Sequence, residues 1–208
     1  MRSDTLRLIF TLAVALPVAA SAGDSPAANP RAPTYTSDGR LIAPSGYREW
    51  VYLSSGLGMS YNPKAMASAE PMFDNTFVNP DAYRAFRDTG TWPDKTVIVL
   101  EVRASSEKGS INQRGSFQRG DVQGLEVHVK DTARFKGGWA FFSFDNGPAP
   151  AARILESRAC YACHSAHGAV DTTFVQFYPT LLPIAKRHGT LTAAYRKDEA
   201  ERFESAAH

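Results

Sequence analysis

The amino-acid sequence predicts an α+β fold, an antiparallel sheet followed by helices. Three observations support this. Aromatic and β-branched segments recur between residues 47 and 144, joined by short connections containing Gly, Pro and Asn. Helical patterns dominate only after residue 150. Nothing repeats as strand–helix–strand, which argues against a parallel doubly wound sheet. The 208 residues are 43% hydrophobic and 21% charged, a globular balance that excludes wholesale disorder. Against 21 acidic residues stand 23 basic ones, a net charge of +2, and no Lys/Arg block stands out, so nucleic acid is a poor candidate partner.

The elements follow in chain order. Residues 1–22 read as a secretory signal peptide: Arg2 and Arg7 precede an apolar stretch from Leu8 to Ala20, and Ala20-Ser21-Ala22 has the form of a cleavage site. That stretch is too short to span a bilayer, and no other apolar run is long enough to do so. The expectation is export to the periplasm, cleavage after Ala22 and no membrane span after processing. Residues 23–40, rich in Pro, Ala, Ser and Asp, read as a flexible lead-in. Tyr47 to Leu53 is a β-rich aromatic segment, ended by Gly56, Gly58, Asn62 and Pro63. Asn75 to Val78 is a short strand. Asn79 as N-cap, Pro80 at the first helical position and Gly90 after the last turn delimit a helix over 80–89. Thr96 to Arg103 (TVIVLEVR) is the strongest strand, followed by a polar loop over 104–115. Phe117 and Leu125 to Val129 suggest two strand pieces, and Trp139 to Phe144 an aromatic strand. Ala151 to Ala166 and Thr172 to His188 read as helical, the latter divided by Pro179 and Pro183. Residues 190–208 form a charged tail, a peripheral helix or a frayed end.

The chemistry concentrates at Cys160-Tyr161-Ala162-Cys163-His164. C-x-x-C-H is the attachment signature of c-type haem. Two thiols three residues apart on a helical turn can reach the two vinyl groups of one porphyrin edge, and the next residue can present its imidazole to the iron. Cys160 and Cys163 are therefore candidate thioethers and His164 the candidate axial ligand of one covalent haem. A Cys160–Cys163 disulfide and a zinc knuckle completed by His167 are the competing readings. Arg158, two residues before Cys160, is a candidate partner for a haem propionate, because guanidinium binds carboxylate bidentately. His167 falls near the same helix face as His164; it reads as solvated rather than as a propionate partner. His128 reads as structural, and His188 and His208 as surface or tail.

With this motif in place, the chain resembles the cytochrome P-460 family, which includes the cytochromes c′-β. The resemblance covers roughly residues 41–189 and rests on YREWVYL at 47–53, FVNPDAYRAFRDTGTWPDKT at 77–96, GLEVHVKD at 124–131, GWAFFSF at 138–144 and CYACHSAHGAVDTTFVQFYPTL at 160–181. It implies a mono-haem c cytochrome on a curved antiparallel sheet with flanking helices, the haem attached at a C-terminal helix, commonly as a homodimer. It also implies five-coordinate iron with His164 proximal. Members that oxidise hydroxylamine carry a lysine cross-linked to the porphyrin, from the strand matching TVIVLEVR. Leu100 stands at that position here, and Lys95 and Lys108 only flank the strand. The resemblance therefore points to the c′-β type, which binds nitric oxide or carbon monoxide. It also suggests Phe73, Phe77 and Trp92 as members of an aromatic distal cap.

Two alternatives stand beside the gas-binding reading. One is a redox enzyme acting on hydroxylamine or peroxide. The other is an electron carrier serving a soluble redox partner, with Met59, Met66 or Met72 as sixth iron ligand. Glu101 is expected on the sheet face opposite Leu100. Arg103 and Glu126 are candidates to neighbour a propionate or to move a proton; otherwise all three read as solvent-facing sheet charges.

Overall fold

The computed structural model describes residues 31–61, 70–144 and 147–206. The signal-peptide segment, residues 23–30 of the lead-in, Met66 and His208 lie outside these residues. Five strands form one open antiparallel sheet in the order β1-β2-β3-β4-β5: β1 (Val51–Leu57), β2 (Met72–Val78), β3 (Val97–Ser106), β4 (Phe117–Lys130) and β5 (Trp139–Ser143). Helix α1 (Pro80–Thr89) links β2 to β3. Helices α2 (Ala159–His167), α3 (Leu182–His188) and α4 (Ala193–Ala206) follow the sheet. The α+β class is as the sequence indicates. Among the described residues, no helix is long and apolar enough to cross a membrane.

Helix α1 has the bounds read from the sequence, but Asn79 does not cap it. Its side chain turns to the sheet instead, accepting the Val97 N–H at 2.8 Å and donating to the Lys95 carbonyl at 3.2 Å. Gly90 closes the helix at φ 72°, its N–H donating to the Phe86 carbonyl, a conformation that costs glycine little.

Several boundaries differ from the sequence reading. Tyr47–Glu49 is a single 3₁₀ turn rather than strand, and β1 instead runs on through Gly56. The turn is held from outside: the Tyr47 hydroxyl and the Arg48 guanidinium both bind Glu101 of β3. The supposed loop over 104–115 is narrower, and β4 is one continuous strand, with register shifts against β3 near Arg103. Residues 151–158 are not helical. Their backbone is drawn to neighbours: the Ala151 N–H donates to Leu41 and the Ile154 N–H to Phe141, each at 2.9 Å. The helical stretch expected over 172–188 shrinks to a 3₁₀ turn at Val175–Phe177 and helix α3, separated by Pro179.

Alternation gives the sheet two different faces. On one, Val97, Val99, Val127, Val129, Ala140 and Phe142 pack with Leu41, Tyr47 and Trp50. On the other, Val78, Ile98 and Trp139 pack with Phe86, Trp92, Val170, Val175, Leu181 and Ala185 from the helical layer. This second face holds the candidate site.

Candidate functional site

A cavity of about 230 Å³ opens between that second face and the segment from Ile154 to Tyr178. The strand register builds its sheet wall in transverse rows. Ser54 pairs with Thr76, Thr76 with Leu100 and Leu100 with Glu126, and all four line the cavity. One row further, Gly56 pairs with Asp74, and both line it. On the other side of the first row, Ile98 pairs with His128 and His128 with Phe141, which close the apolar end. Opposite the sheet stand Cys160 and His164 of α2, with Phe174, Phe177 and Tyr178. A second, larger cavity of about 620 Å³ shares Tyr61, Phe174 and Phe177 with the first and is lined by Cys163 and His167.

Helix α2 presents its two cysteines as free thiols, both partly buried, with no disulfide between them. Arg158 sits exposed at the N-cap of α2 and lines neither cavity. His164 is held from several sides. Phe174 stacks on its ring at a centroid distance of 4.1 Å, Phe141 meets it at 4.5 Å and His128 edge-on at 5.3 Å. Its Nδ1 lies 2.7 Å from the Thr172 carbonyl, which can only accept. The proton is thereby on Nδ1, and Nε2 keeps its lone pair. Burial pushes the His164 pKa down, and the bond to Thr172 offsets this only in part, so the ring is neutral and able to ligate a metal.

His128 is the residue whose importance sequence reasoning missed. It is not merely structural packing: it lines the cavity, stacks on Phe141 at 3.9 Å and approaches Thr172 Oγ1 through Nε2 at 3.3 Å. Burial, and secondarily the nearness of a second titratable ring at His164, hold its pKa well below the usual histidine value. Its alternation with Glu126 in β4 was the available signal. Asp74, Thr76, Ser54, Thr172 and Phe174 were missed as well, since nothing local marks them.

The other sequence candidates separate cleanly. Leu100 lines the cavity. Phe73 and Phe77 do not; they sit on the opposite face with Asn75, and Phe77 packs edge-on against Tyr47 and Tyr52. An even–odd difference of one residue from Asp74 and Thr76 decides this. Trp92 is buried on Phe86, with its indole N–H donating to Thr173 Oγ1 at 2.8 Å, and lines neither cavity. Met59 lines the cavity at its exposed lip, while Met72 is exposed and outside it. His167 is not simply solvated: its Nδ1 lies 2.5 Å from Asp198 of α4. Glu101 is not solvent-facing but 3% exposed, whereas Glu126 is exposed at the cavity wall. Neither Lys95 nor Lys108 reaches the cavity; Lys95 pairs with Asp131.

Two unpaired thiols and a lone-pair-bearing imidazole on one helix, beside an aromatic-walled cavity, are a donor set that fits a haem. An antiparallel sheet with such a helix is compatible with a haem cytochrome. The family model for cytochrome P460 matches residues 44–175, more than half of the chain and inclusive of Cys160, Cys163 and His164. The chain belongs to the cytochrome P460 family. No curated protein sequence matches it.

Proposed function

We propose that this is an exported mono-haem c-type cytochrome that binds nitric oxide or a similar diatomic at five-coordinate iron. Cys160 and Cys163 hold the haem as thioethers and His164 is its one protein ligand. The observation behind this reading is the state of His164: neutral, with Nδ1 committed to Thr172 and Nε2 left to ligate. When bound, the haem supplies an iron that exchanges one electron and takes up a small ligand. The chain does the rest. Phe141, Phe174 and Phe177 exclude water from one end of the cavity. Leu100 leaves a short apolar side chain where the hydroxylamine-oxidising relatives suggested by resemblance carry a lysine. No lysine is among the described lining residues.

One observation favours a second reading, oxidation of a protic substrate such as hydroxylamine. Asp74 and Glu126 put two carboxylates on the same wall as Leu100. Burial raises the Asp74 pKa, which makes it a better proton acceptor than an ordinary carboxylate. A neutral diatomic needs no such acceptor.

Absorption spectra of the holoprotein, ferric and dithionite-reduced, with and without carbon monoxide and nitric oxide, test both readings. A high-spin ferrous spectrum that shifts with either gas supports the first. Turnover of hydroxylamine with an electron acceptor, lost in Glu126→Gln or Asp74→Asn, would replace it with the second. A low-spin spectrum unmoved by gas and changed by Met59→Ala would make the protein an electron carrier.

A further inference from the structure

The carbonyl that orients His164 belongs to a tight turn that three separate side chains hold. Val170 and Thr173 bridge each other, with Asp171 and Thr172 between them, and Asp171 takes φ 51°, a left-handed conformation unusual for a residue with a side chain. Each of the next three positions is gripped by a different residue. Lys130 Nζ donates to the Asp171 carboxylate at 2.9 Å. His128 Nε2 meets Thr172 Oγ1 at 3.3 Å. The Trp92 indole N–H donates to Thr173 Oγ1 at 2.8 Å. Lys130 also donates to the Trp92 carbonyl at 2.7 Å, joining two of the three grips.

The turn is pressed against the helix as well. A Cβ at Gly168 would lie 2.7 Å from the His164 carbonyl oxygen and 3.0 Å from backbone atoms of Asp171 and Thr172. The end of α2 and the turn therefore meet backbone to backbone, with no room for a side chain between them.

We infer that Lys130, His128 and Trp92 are positioning residues that clamp the 170–173 turn, so that the Thr172 carbonyl sets the donor strength of His164 toward iron. A carbonyl held on Nδ1–H draws that proton and pushes electron density onto Nε2, making a more basic ligand that favours the ferric state. None of the three touches the iron in this role. They act through the geometry of one hydrogen bond. The inference rests on His164 being the axial ligand.

The test uses the holoprotein, reading the ferrous iron–histidine stretching frequency by resonance Raman and the midpoint potential by spectroelectrochemistry. Lys130→Met releases Asp171 and the Trp92 carbonyl together. It is expected to lower the stretching frequency and raise the potential, with Lys130→Arg returning both toward wild type. Asp171→Asn, which keeps the turn but removes the charge from the grip, is expected to move both the same way by less, and serves where Lys130→Met does not accumulate. Wild-type values in variants that hold their haem would overturn the clamp. Absence of any iron–histidine band in a high-spin wild-type ferrous protein would instead overturn the ligand assignment itself.

Discussion

The two faces of the sheet treat a carboxylate in opposite ways. Glu101 and Asp74 lie on adjacent strands, β3 and β2, but alternation sends them to different sides. Glu101 is 3% exposed and fully engaged: Tyr47 and Arg48 bind one oxygen, and Arg103 the other at 2.5 Å. Burial alone would raise its pKa, but the hydrogen bonds from Arg103, Tyr47 and Arg48 outweigh it and hold the group below the usual carboxylate range. Asp74 is half-buried on the cavity wall, and burial is the cause that raises its pKa. One carboxylate is thus spent on structure, tying the 47–49 turn to β3. The other lines a cavity with its pKa raised. Burial by itself does not say whether an acid is structural or functional; the donors around it do.

Breaking the tied face should give the largest effect. Glu101→Ala removes the shared acceptor of three donors and should cost roughly 3 kcal/mol, read as a fall in the urea midpoint. Carbon monoxide binding by the ferrous protein should be unchanged. In the parent protein the depressed pKa of Glu101 contributes stability that is full above the ordinary carboxylate value and lost as pH falls through the lowered one. The acid limb of a stability–pH curve should therefore flatten in Glu101→Gln. Equal acid sensitivity in both proteins would mean that Glu101 is not the group responsible.

Gly168→Ala should come next, at about 1–3 kcal/mol, because the new methyl meets backbone that cannot swing aside. It differs from Glu101→Ala in its spectrum: the iron–histidine band should shift, since the displaced atoms belong to the turn that holds His164.

On the cavity face the sign reverses. The raised pKa of Asp74 means that the folded protein keeps this proton to higher pH than the unfolded chain does. Its contribution to stability therefore falls as pH rises through that interval. Asp74→Asn should be more stable than wild type at neutral pH, by about 0.5 kcal/mol for a partly exposed site, and the gain should vanish once pH drops below the ordinary carboxylate value. Thermal melts at pH 7 and pH 3 would show it; a gain of the same size at both would assign the effect to packing rather than charge.

The smallest effect on ligand binding should come from the aromatic residues of the wrong face. Phe77→Ala should leave the carbon monoxide association rate within about twofold of wild type, whereas Phe174→Ala, which removes the ring stacked on His164, should change it by more. Stopped-flow or flash-photolysis rates on the two variants compare the faces directly. A larger change in Phe77→Ala would put the cap back on that side.

The sequence by itself determined the class of fold, helix α1 to the residue and the cluster Cys160, Cys163 and His164, because each depends on short-range signals: alternation, caps and a five-residue motif. It also placed Leu100 and Glu101 on opposite faces, since parity within a strand needs no partner. Tertiary structure decided which parity faces the cavity on β2, and so exchanged Phe73 and Phe77 for Asp74 and Thr76. It also decided that the Tyr47 segment curls into a turn, where Tyr47 and Arg48 meet a carboxylate more than fifty residues away. The ring of side chains around the 170–173 turn belongs to the same category. Lys130, His128 and Trp92 lie 41 or more residues from the turn residues they hold, and no pattern in the chain links them. Such contacts exist only once strand register and helix docking have brought distant segments together, and local propensity contains no term for that.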